Sequence, residues 1–148
     1  MGKYTKILIR LCLVAHFSLV LSYVAADCVA QELPKGRVID RIACLADPSQ
    51  SYALYLPANY TEARKWPILY GFDPGGRGNQ VVELFKEAAE KYGWIVVGSN
   101  NSRNGPGVPL STILQAFWND TQTRFAIDER RVYATGMSGG ARVASSFA

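Results

Sequence analysis

The order in which apolar runs and amphipathic segments follow one another constrains the fold of this chain more than any other feature. Three short apolar runs have the length and composition of buried strands: residues 67–72, 94–101 and 130–136. Each is followed by a segment with helical spacing of apolar residues: 80–92, 112–125 and 140–148. Parallel neighbouring strands need a long crossover connection, which is normally a helix. The sequence therefore predicts an α/β fold with a mostly parallel sheet.

The helical segments differ in how clearly they define a buried face. In the first, which Gly93 should end, four apolar residues share one face: Val81, Phe85, Ala88 and Tyr92. The second has two apolar rows, one with Ile113, Phe117 and Thr121, the other with Leu114, Trp118 and Phe125. Both segments are predicted to pack on the sheet through these rows.

Ahead of this pattern, residues 37–45 and 52–57 flank a turn-forming segment and predict an antiparallel hairpin. The first of these strands contains Cys44, which leaves two interpretations. In an exported protein Cys44 could form a disulfide with Cys28, and it could equally be a small buried residue. Two thiols with no histidine nearby do not make a metal site, and we expect no metal or other cofactor.

The first 26 residues have the three-part layout of a secretory signal peptide. Basic residues at positions 3, 6 and 10 precede an uncharged run at 11–26 that ends in small residues. The run is short and polar for a retained membrane anchor, which needs about 20 apolar residues. We therefore expect cleavage after Ala26, a secreted or periplasmic protein without a stable membrane anchor, and one partial domain at 27–148.

The charge balance changes when this segment is removed. The whole chain has 16 basic and 12 acidic side chains, and three of the bases lie before residue 27. The remaining net charge of +1 does not favour nucleic acid or an acidic membrane surface as a partner. The single histidine, His16, leaves with the signal peptide.

Residues 136–140 match the pattern GxSxG, with Ser138 between Gly136 and Gly140. In this motif a sharp turn from a strand to a helix holds the serine in a strained conformation, so neighbouring residues must lack side chains. Here an apolar run precedes the pattern and a helical segment follows it. The context predicts that Ser138 is a catalytic nucleophile.

With these elements, residues 51–148 resemble the α/β hydrolase fold. The segment around Ser138 looks like the nucleophile elbow of the secreted esterase branch that includes polyhydroxybutyrate depolymerases and feruloyl esterases. The resemblance implies hydrolysis of a small-molecule or polymeric ester through an acyl-enzyme. It also implies an oxyanion hole made by the backbone amide of Gly139 and a second amide after the third strand. Phe72 is the first candidate for that second amide, beside Gly71 and with Tyr70 in place of the family's histidine, and Asp73 is the alternative.

Two loops at the sheet edge bear on the ligand, and the loop at 100–109 suggests a polar ester. The loop at 73–78 lacks the lysine and the glycine spacing of a phosphate cradle, which argues against a nucleotide. The loop at 100–109 offers Asn100, Asn101 and Arg103 as hydrogen-bonding groups for a substrate.

Four charged residues are expected to have structural or surface positions. Asp128 and Arg131 should form a turn and an ion pair ahead of the last strand. Asp120 and Glu129 are expected to be solvated.

The proton acceptor for Ser138 is missing from the expected place. In this fold the acid and the histidine follow the serine, and residues 139–148 contain neither. The lysines at 65, 86 and 91 lie on segments expected to face solvent. We therefore expect the amino-terminal part of a longer hydrolase. The alternatives are an inactive remnant, a binding module on the same scaffold, or a serine peptidase of the same fold.

Overall fold

The computed structural model describes residues 32–147, and all the elements given below belong to the unit that begins at Pro34. The predicted signal peptide, His16 and Cys28 lie outside the described residues. The strands are β1 (Val38–Ala43), β2 (Ser51–Tyr55), β3 (Trp66–Phe72), β4 (Ile95–Ser99) and β5 (Ile127–Gly136). The helices are α1 (Gly78–Tyr92), α2 (Leu110–Arg124) and α3 (Gly139–Phe147). No helix in this part of the chain is long and apolar enough to span a membrane.

The strands form a mixed sheet in the order β1-β2-β4-β3-β5. The predicted hairpin is confirmed, with Val38 paired to Tyr55 and Ala43 paired to Ser51 in antiparallel register. β2 continues antiparallel to β4, and β3 lies parallel to β4 on one side and to β5 on the other. The carboxyl ends of β3, β4 and β5 therefore share one edge of the sheet, as the alternation of strands and helices predicted.

Different helices cover the two faces of the sheet. Side chains alternate along each strand, so that both faces present apolar residues to the helices. On one face, Val82 and Ala89 of α1 pack against Ala53, Tyr55 and Val96. On the other, the Phe117 ring of α2 contacts three strand aromatics: Tyr52, Tyr70 and Phe72. Phe147 of α3 also lies on Tyr70 and Phe72. The unit that begins at Pro34 is thus a three-layer sandwich of helix, sheet and helices.

The buried stripe of α1 differs from the predicted one. Gly78, Val82 and Ala89 are buried, whereas Tyr92 is 66% exposed. The reason lies at the start of the helix, where a Cβ at Gly78 would overlap the carbonyl oxygen of Gly98. This close approach of two backbones sets the rotation of α1. In α2 the predicted row of Ile113, Phe117 and Thr121 is buried.

Asp120 is not solvated, so that prediction was wrong. It is 4% exposed, and its carboxylate accepts hydrogen bonds from the Tyr52 hydroxyl (2.7 Å), Arg124 Nε (2.8 Å) and the Leu45 amide (2.7 Å). Helical spacing could indicate only the Arg124 partner, four residues along the same helix, because Tyr52 and Leu45 belong to the hairpin, 68 and 75 residues away in sequence. Glu129 is exposed as expected, and the predicted ion pair is present, with Arg131 Nε 2.8 Å from Asp128 Oδ2. The predicted turn ahead of the strand was wrong, because both residues of the pair lie inside β5.

Cys44 has a free, buried thiol, 2% exposed, which agrees with its interpretation as a small core residue. Burial raises the pKa of this thiol to about 11, and the nearby negative charge of Asp120 adds to the effect. A thiol with so high a pKa is protonated at neutral pH and is a poor nucleophile. The residues from 32 to 147 contain no group of histidine, cysteine and acidic side chains that could hold a metal ion.

Candidate active site

Ser138 occupies the sharp turn between β5 and α3. Its φ angle of 53° makes it the one residue other than glycine with a positive φ in the described part of the chain. Such a conformation costs an L-residue of order 1–3 kcal/mol and persists only where surrounding structure enforces it. Here the turn is held by hydrogen bonds from the Gly140 amide to the Met137 carbonyl (2.8 Å) and from the Ala141 amide to the Ser138 carbonyl (3.0 Å).

The two outer glycines of the motif are needed for close backbone contacts. A Cβ at Gly136 would overlap the carbonyl oxygen of Gly140, across the turn. A Cβ at Gly140 would overlap the carbonyl oxygen of Phe72, at the end of β3. Because backbone atoms cannot move aside as side chains do, these positions require glycine. The spacing in the sequence predicted this steric demand.

The Ser138 side chain is exposed and is not paired with any side chain between residues 32 and 147. Beside it, the neighbouring Met137 is 65% exposed. A cleft of about 360 Å³ borders the turn, and its walls include Phe72, Val81, Leu84 and Met137. An exposed hydroxyl next to a largely apolar cleft is accessible to a small molecule.

Two backbone amides close to the turn have no hydrogen-bond acceptor among residues 32–147. The first is the amide of Gly139, at the amino terminus of α3, where the helix dipole is positive. The second is the amide of Asp73, which lies 3.3 Å from the place that a Cβ of Gly140 would occupy. Phe72 is differently placed, because it is paired with Gly136 in the ladder and its carbonyl accepts from Met137 (3.4 Å).

Tyr70, at the position of the family's histidine, lies in the core and not at this edge. It is fully buried, and its hydroxyl lies 2.6 Å from Thr121 Oγ1. Burial raises the pKa of the Tyr70 hydroxyl to about 12. Tyr70 therefore packs α2 against the sheet.

The Asp73 carboxylate organises the loop after β3. One oxygen accepts from the Gly75 amide (2.7 Å) and from Arg77 Nε (2.9 Å), and the other accepts from Arg77 Nη2 (3.1 Å). Hydrogen bonding from Arg77 holds the pKa of Asp73 below its ordinary value, against the opposing effect of burial. The aspartate thus fixes the backbone around its own amide.

This lowered pKa makes the contribution of Asp73 to stability depend on pH. A carboxyl group with a lower pKa in the folded state stabilises the fold above its unfolded pKa of about 3.9. The contribution is lost as the pH falls through the lower folded value. We expect wild type to be more stable than Asp73→Asn at pH 7, and the difference to shrink between pH 4 and pH 2 in urea unfolding. A difference that stays constant over this range would contradict the assignment.

The loop after β4 reaches the turn at Ser138 through a residue that the sequence did not indicate. Asn100 and Asn101 instead tie the loop to the hairpin, through bonds to the Asp40 carbonyl (3.0 Å) and the Ser51 amide (2.8 Å). Arg103 is exposed and forms a backbone bridge with Gly75. Asn104 lies against Gly139, where a Cβ would overlap its side-chain oxygen. No spacing rule links positions 104 and 139. The one signal in the sequence is that both positions follow predicted parallel strands, whose carboxyl ends meet at the same edge of the sheet.

The lysines at 65, 86 and 91 do not contact Ser138. Lys65 and Lys91 are exposed, and Lys86 pairs with Glu83 at 2.6 Å on the surface of α1. Within residues 32–147 no histidine occurs. The described part of the chain thus brings together a serine and two amides without a general base.

Comparison with known proteins establishes the fold. No family model matches the sequence, and a search of curated proteins finds no match. The structure is similar to an esterase of Pyrobaculum calidifontis, with 18% identity, a TM-score of 0.56, and coverage of 77% of this chain and 39% of that chain. It is also similar to an acetyl xylan esterase from Aspergillus awamori, with 19% identity, a TM-score of 0.57, and coverage of 76% and 46%. A third is LpqC, a poly(3-hydroxybutyrate) depolymerase from Bordetella parapertussis, with 15% identity, a TM-score of 0.51, and coverage of 66% and 41%.

These likenesses and the strand order show that the chain has part of the α/β hydrolase fold, as predicted. The chain spans less than half the length of each of these enzymes.

Proposed function

We propose that this chain carries the nucleophile and the oxyanion hole of a serine ester hydrolase. Ser138 Oγ would attack the carbonyl carbon of a small-molecule or polymeric ester. The bond from Oγ to carbon forms, the bond to the alcohol oxygen breaks, and the hydroxyl proton passes through a base to the departing alcohol. Water then hydrolyses the acyl-enzyme and restores the serine.

The single observation that carries this proposal is the conformation of Ser138. An exposed serine at a φ of 53°, on a turn between a parallel strand and a helix, has no structural use that a glycine would not serve better. A function for Oγ in binding or attacking a substrate would explain why the strained conformation of Ser138 is kept. Esterases and a depolymerase among the similar structures support the same class of reaction.

The oxyanion hole is proposed to consist of the Gly139 amide and a second amide at the end of β3. For the second donor we favour Asp73 over Phe72, because the Asp73 amide has no acceptor in the described part of the chain. A charge developing on the carbonyl oxygen would be stabilised by about 3 kcal/mol for each well-aimed donor. The loop of Asp73 and Arg77 holds this donor in place before the substrate binds.

The general base is not among residues 32–147, so the activity of the whole protein rests on groups outside them. A serine in an intact elbow keeps part of its reactivity without a base, because the oxyanion hole still stabilises the transition state. This makes a stoichiometric reaction a better test than turnover. A fluorophosphonate is suitable, since Oγ forms a bond to phosphorus while fluoride leaves and the hydroxyl proton goes to solvent.

The experiment is to treat the full chain with a fluorophosphonate and locate the label by peptide mass spectrometry. We expect Ser138 to react faster than Ser145 and Ser146, which are exposed serines of the helix α3 that follows it. Added imidazole, as a substitute base, should increase the rate at Ser138 alone. Ser138→Ala should abolish the specific label and leave the background unchanged.

Two results would count against the proposal. If Ser138 reacts no faster than Ser145 and Ser146, with or without imidazole, the chain is better described as an inactive remnant or a binding module. Labelling that persists in Ser138→Ala would place the reactive group elsewhere.

We also propose that residues 1–26 direct export and are removed. Their basic start, uncharged run and small residues before Asp27 support this assignment. The intact mass of the exported chain, measured by mass spectrometry, should correspond to a chain that begins at Asp27. An exported chain that still carries residues 1–26 would contradict this proposal.

A further inference from the structure

We propose that Asn104 is a catalytic residue of this site, whose side-chain amide donates a hydrogen bond to the reacting carbonyl oxygen beside the Gly139 amide. The inference rests on the proposed function, because it assigns a substrate contact in the same reaction. It concerns a residue from a different loop, which neither the elbow motif nor the sequence of the loop indicates.

The first step of the argument is the position of the side chain. The carboxamide of Asn104 lies over Gly139, where a Cβ would overlap its oxygen and crowd its nitrogen. Gly139 directly follows Ser138 and carries one of the free amides. The carboxamide is therefore adjacent to the place where a carbonyl oxygen would bind.

The second step is that the backbone holds Asn104 there. Its amide donates to the carbonyl oxygen of Pro74 at 2.8 Å, and the preceding Arg103 forms a bridge with Gly75. The loop after β4 is thus fastened to the loop after β3, which carries the Asp73 amide. One side chain, at Asn104, is added to a site whose other donors are backbone groups.

The third step is that the carboxamide is available. Asn104 is exposed, and its side chain has no hydrogen-bond partner among residues 32–147. Asn100 and Asn101 in the same loop use their side chains to bind the hairpin. A neutral N–H₂ donor suits a developing oxyanion, and its hydrogens need no deprotonation.

The fourth step concerns the three glycines of the elbow. Added Cβ atoms at Gly136 and Gly140 would meet backbone, whereas at Gly139 the three nearest atoms belong to the Asn104 side chain. A glycine at 139 is therefore needed for the position of Asn104 and not for the turn itself. The variant Gly139→Ala should therefore displace the Asn104 carboxamide without changing its chemistry.

The test measures the rate of fluorophosphonate labelling at Ser138 in the full chain. We expect Asn104→Ala and Gly139→Ala each to slow it by about tenfold to hundredfold, because both remove the same donor from the phosphoryl oxygen. The double variant should be no slower than the slower single variant, since residues that act through one contact are not additive. Asn104→Asp should be slower than Asn104→Ala, because a carboxylate repels the developing negative charge.

The control is Asn119→Ala, which removes an exposed asparagine of α2 away from the elbow and should label at the wild-type rate. Circular dichroism should show the same melting temperature for wild type, Asn104→Ala and Gly139→Ala within a few degrees. Rates within twofold of wild type in both single variants would overturn the assignment of Asn104 while leaving Ser138 as the nucleophile. Multiplying effects in the double variant would also overturn it. Absence of labelling in the wild type would instead refute the proposed function, and the role of Asn104 with it.

Discussion

Replacing Asp120 with alanine should lower the free energy of unfolding by about 3–5 kcal/mol, the range measured when one partner of a buried ion pair is removed. Asp120 accepts hydrogen bonds from three groups that belong to different parts of the chain: the Tyr52 hydroxyl, the Arg124 guanidinium and the Leu45 amide. In the variant the fully buried Tyr52 hydroxyl loses its acceptor, and the partly buried bonds from Arg124 and the Leu45 amide are lost as well. Each unsatisfied donor costs about 1–3 kcal/mol, more for a charged group.

The loss should be global, because Asp120 joins the hairpin to α2. Arg124 also donates to the Ala43 carbonyl at 3.0 Å, so the network holds the end of β1 against the helix. Urea unfolding followed by circular dichroism should show a lower midpoint with an unchanged slope. Glu129→Ala is the matched control, since this carboxylate is exposed and its removal should change stability by less than about 0.5 kcal/mol. Equal midpoints for the two variants would show that the buried network contributes nothing.

The second large effect is expected at Gly140. A Cβ there would overlap the carbonyl oxygen of Phe72 and lie 3.3 Å from the Asp73 amide, so α3 or the end of β3 must shift. Such overpacking costs about 1–3 kcal/mol and exceeds the gain that alanine brings to a helix, about 0.5–1 kcal/mol. The same shift would move the Asp73 amide away from the turn at Ser138. Gly140→Ala should therefore lose both stability and fluorophosphonate labelling.

Gly139→Ala is the matched control for stability, one position earlier in the same helix. The nearest atoms to its Cβ are those at the far end of the Asn104 side chain, which can rotate away. We expect Gly139→Ala to unfold at the wild-type urea concentration or slightly above it, and Gly140→Ala to unfold at a clearly lower one. Should Gly140→Ala keep the wild-type midpoint, the close contact between α3 and β3 is not needed for the fold.

The sequence carries local information about this fold. Alternation of apolar runs and helical segments was sufficient for the hairpin, the parallel strands and the buried row of α2 that contains Phe117. The second predicted row of α2 is not buried throughout, since Trp118 is 37% exposed. The GxSxG spacing was sufficient to predict a turn that demands glycine at 136 and 140. These features depend on neighbours within a few residues, where the chain's own geometry decides the outcome.

The errors have a common cause. Asp120 is charged and was expected to be solvated, yet its partners Tyr52 and Leu45 lie in the hairpin, 68 and 75 residues earlier in the sequence. The face of α1 was displaced because the contact between Gly78 and Gly98 sets its rotation. Asn100 and Asn101 were expected at the substrate, and the hairpin occupies them instead.

By itself the sequence determined the order of strands and helices, the strained turn at Ser138 and the class of fold that such a turn requires. Tertiary structure alone decided that β4 lies between β2 and β3, that Asp120 is buried, and that Asn104 contacts Gly139. The physical reason is the separation in sequence over which each kind of interaction acts. Backbone sterics and side-chain periodicity act between residues close in sequence, whereas hydrogen bonds and close contacts between distant segments exist only after the sheet has brought those segments together.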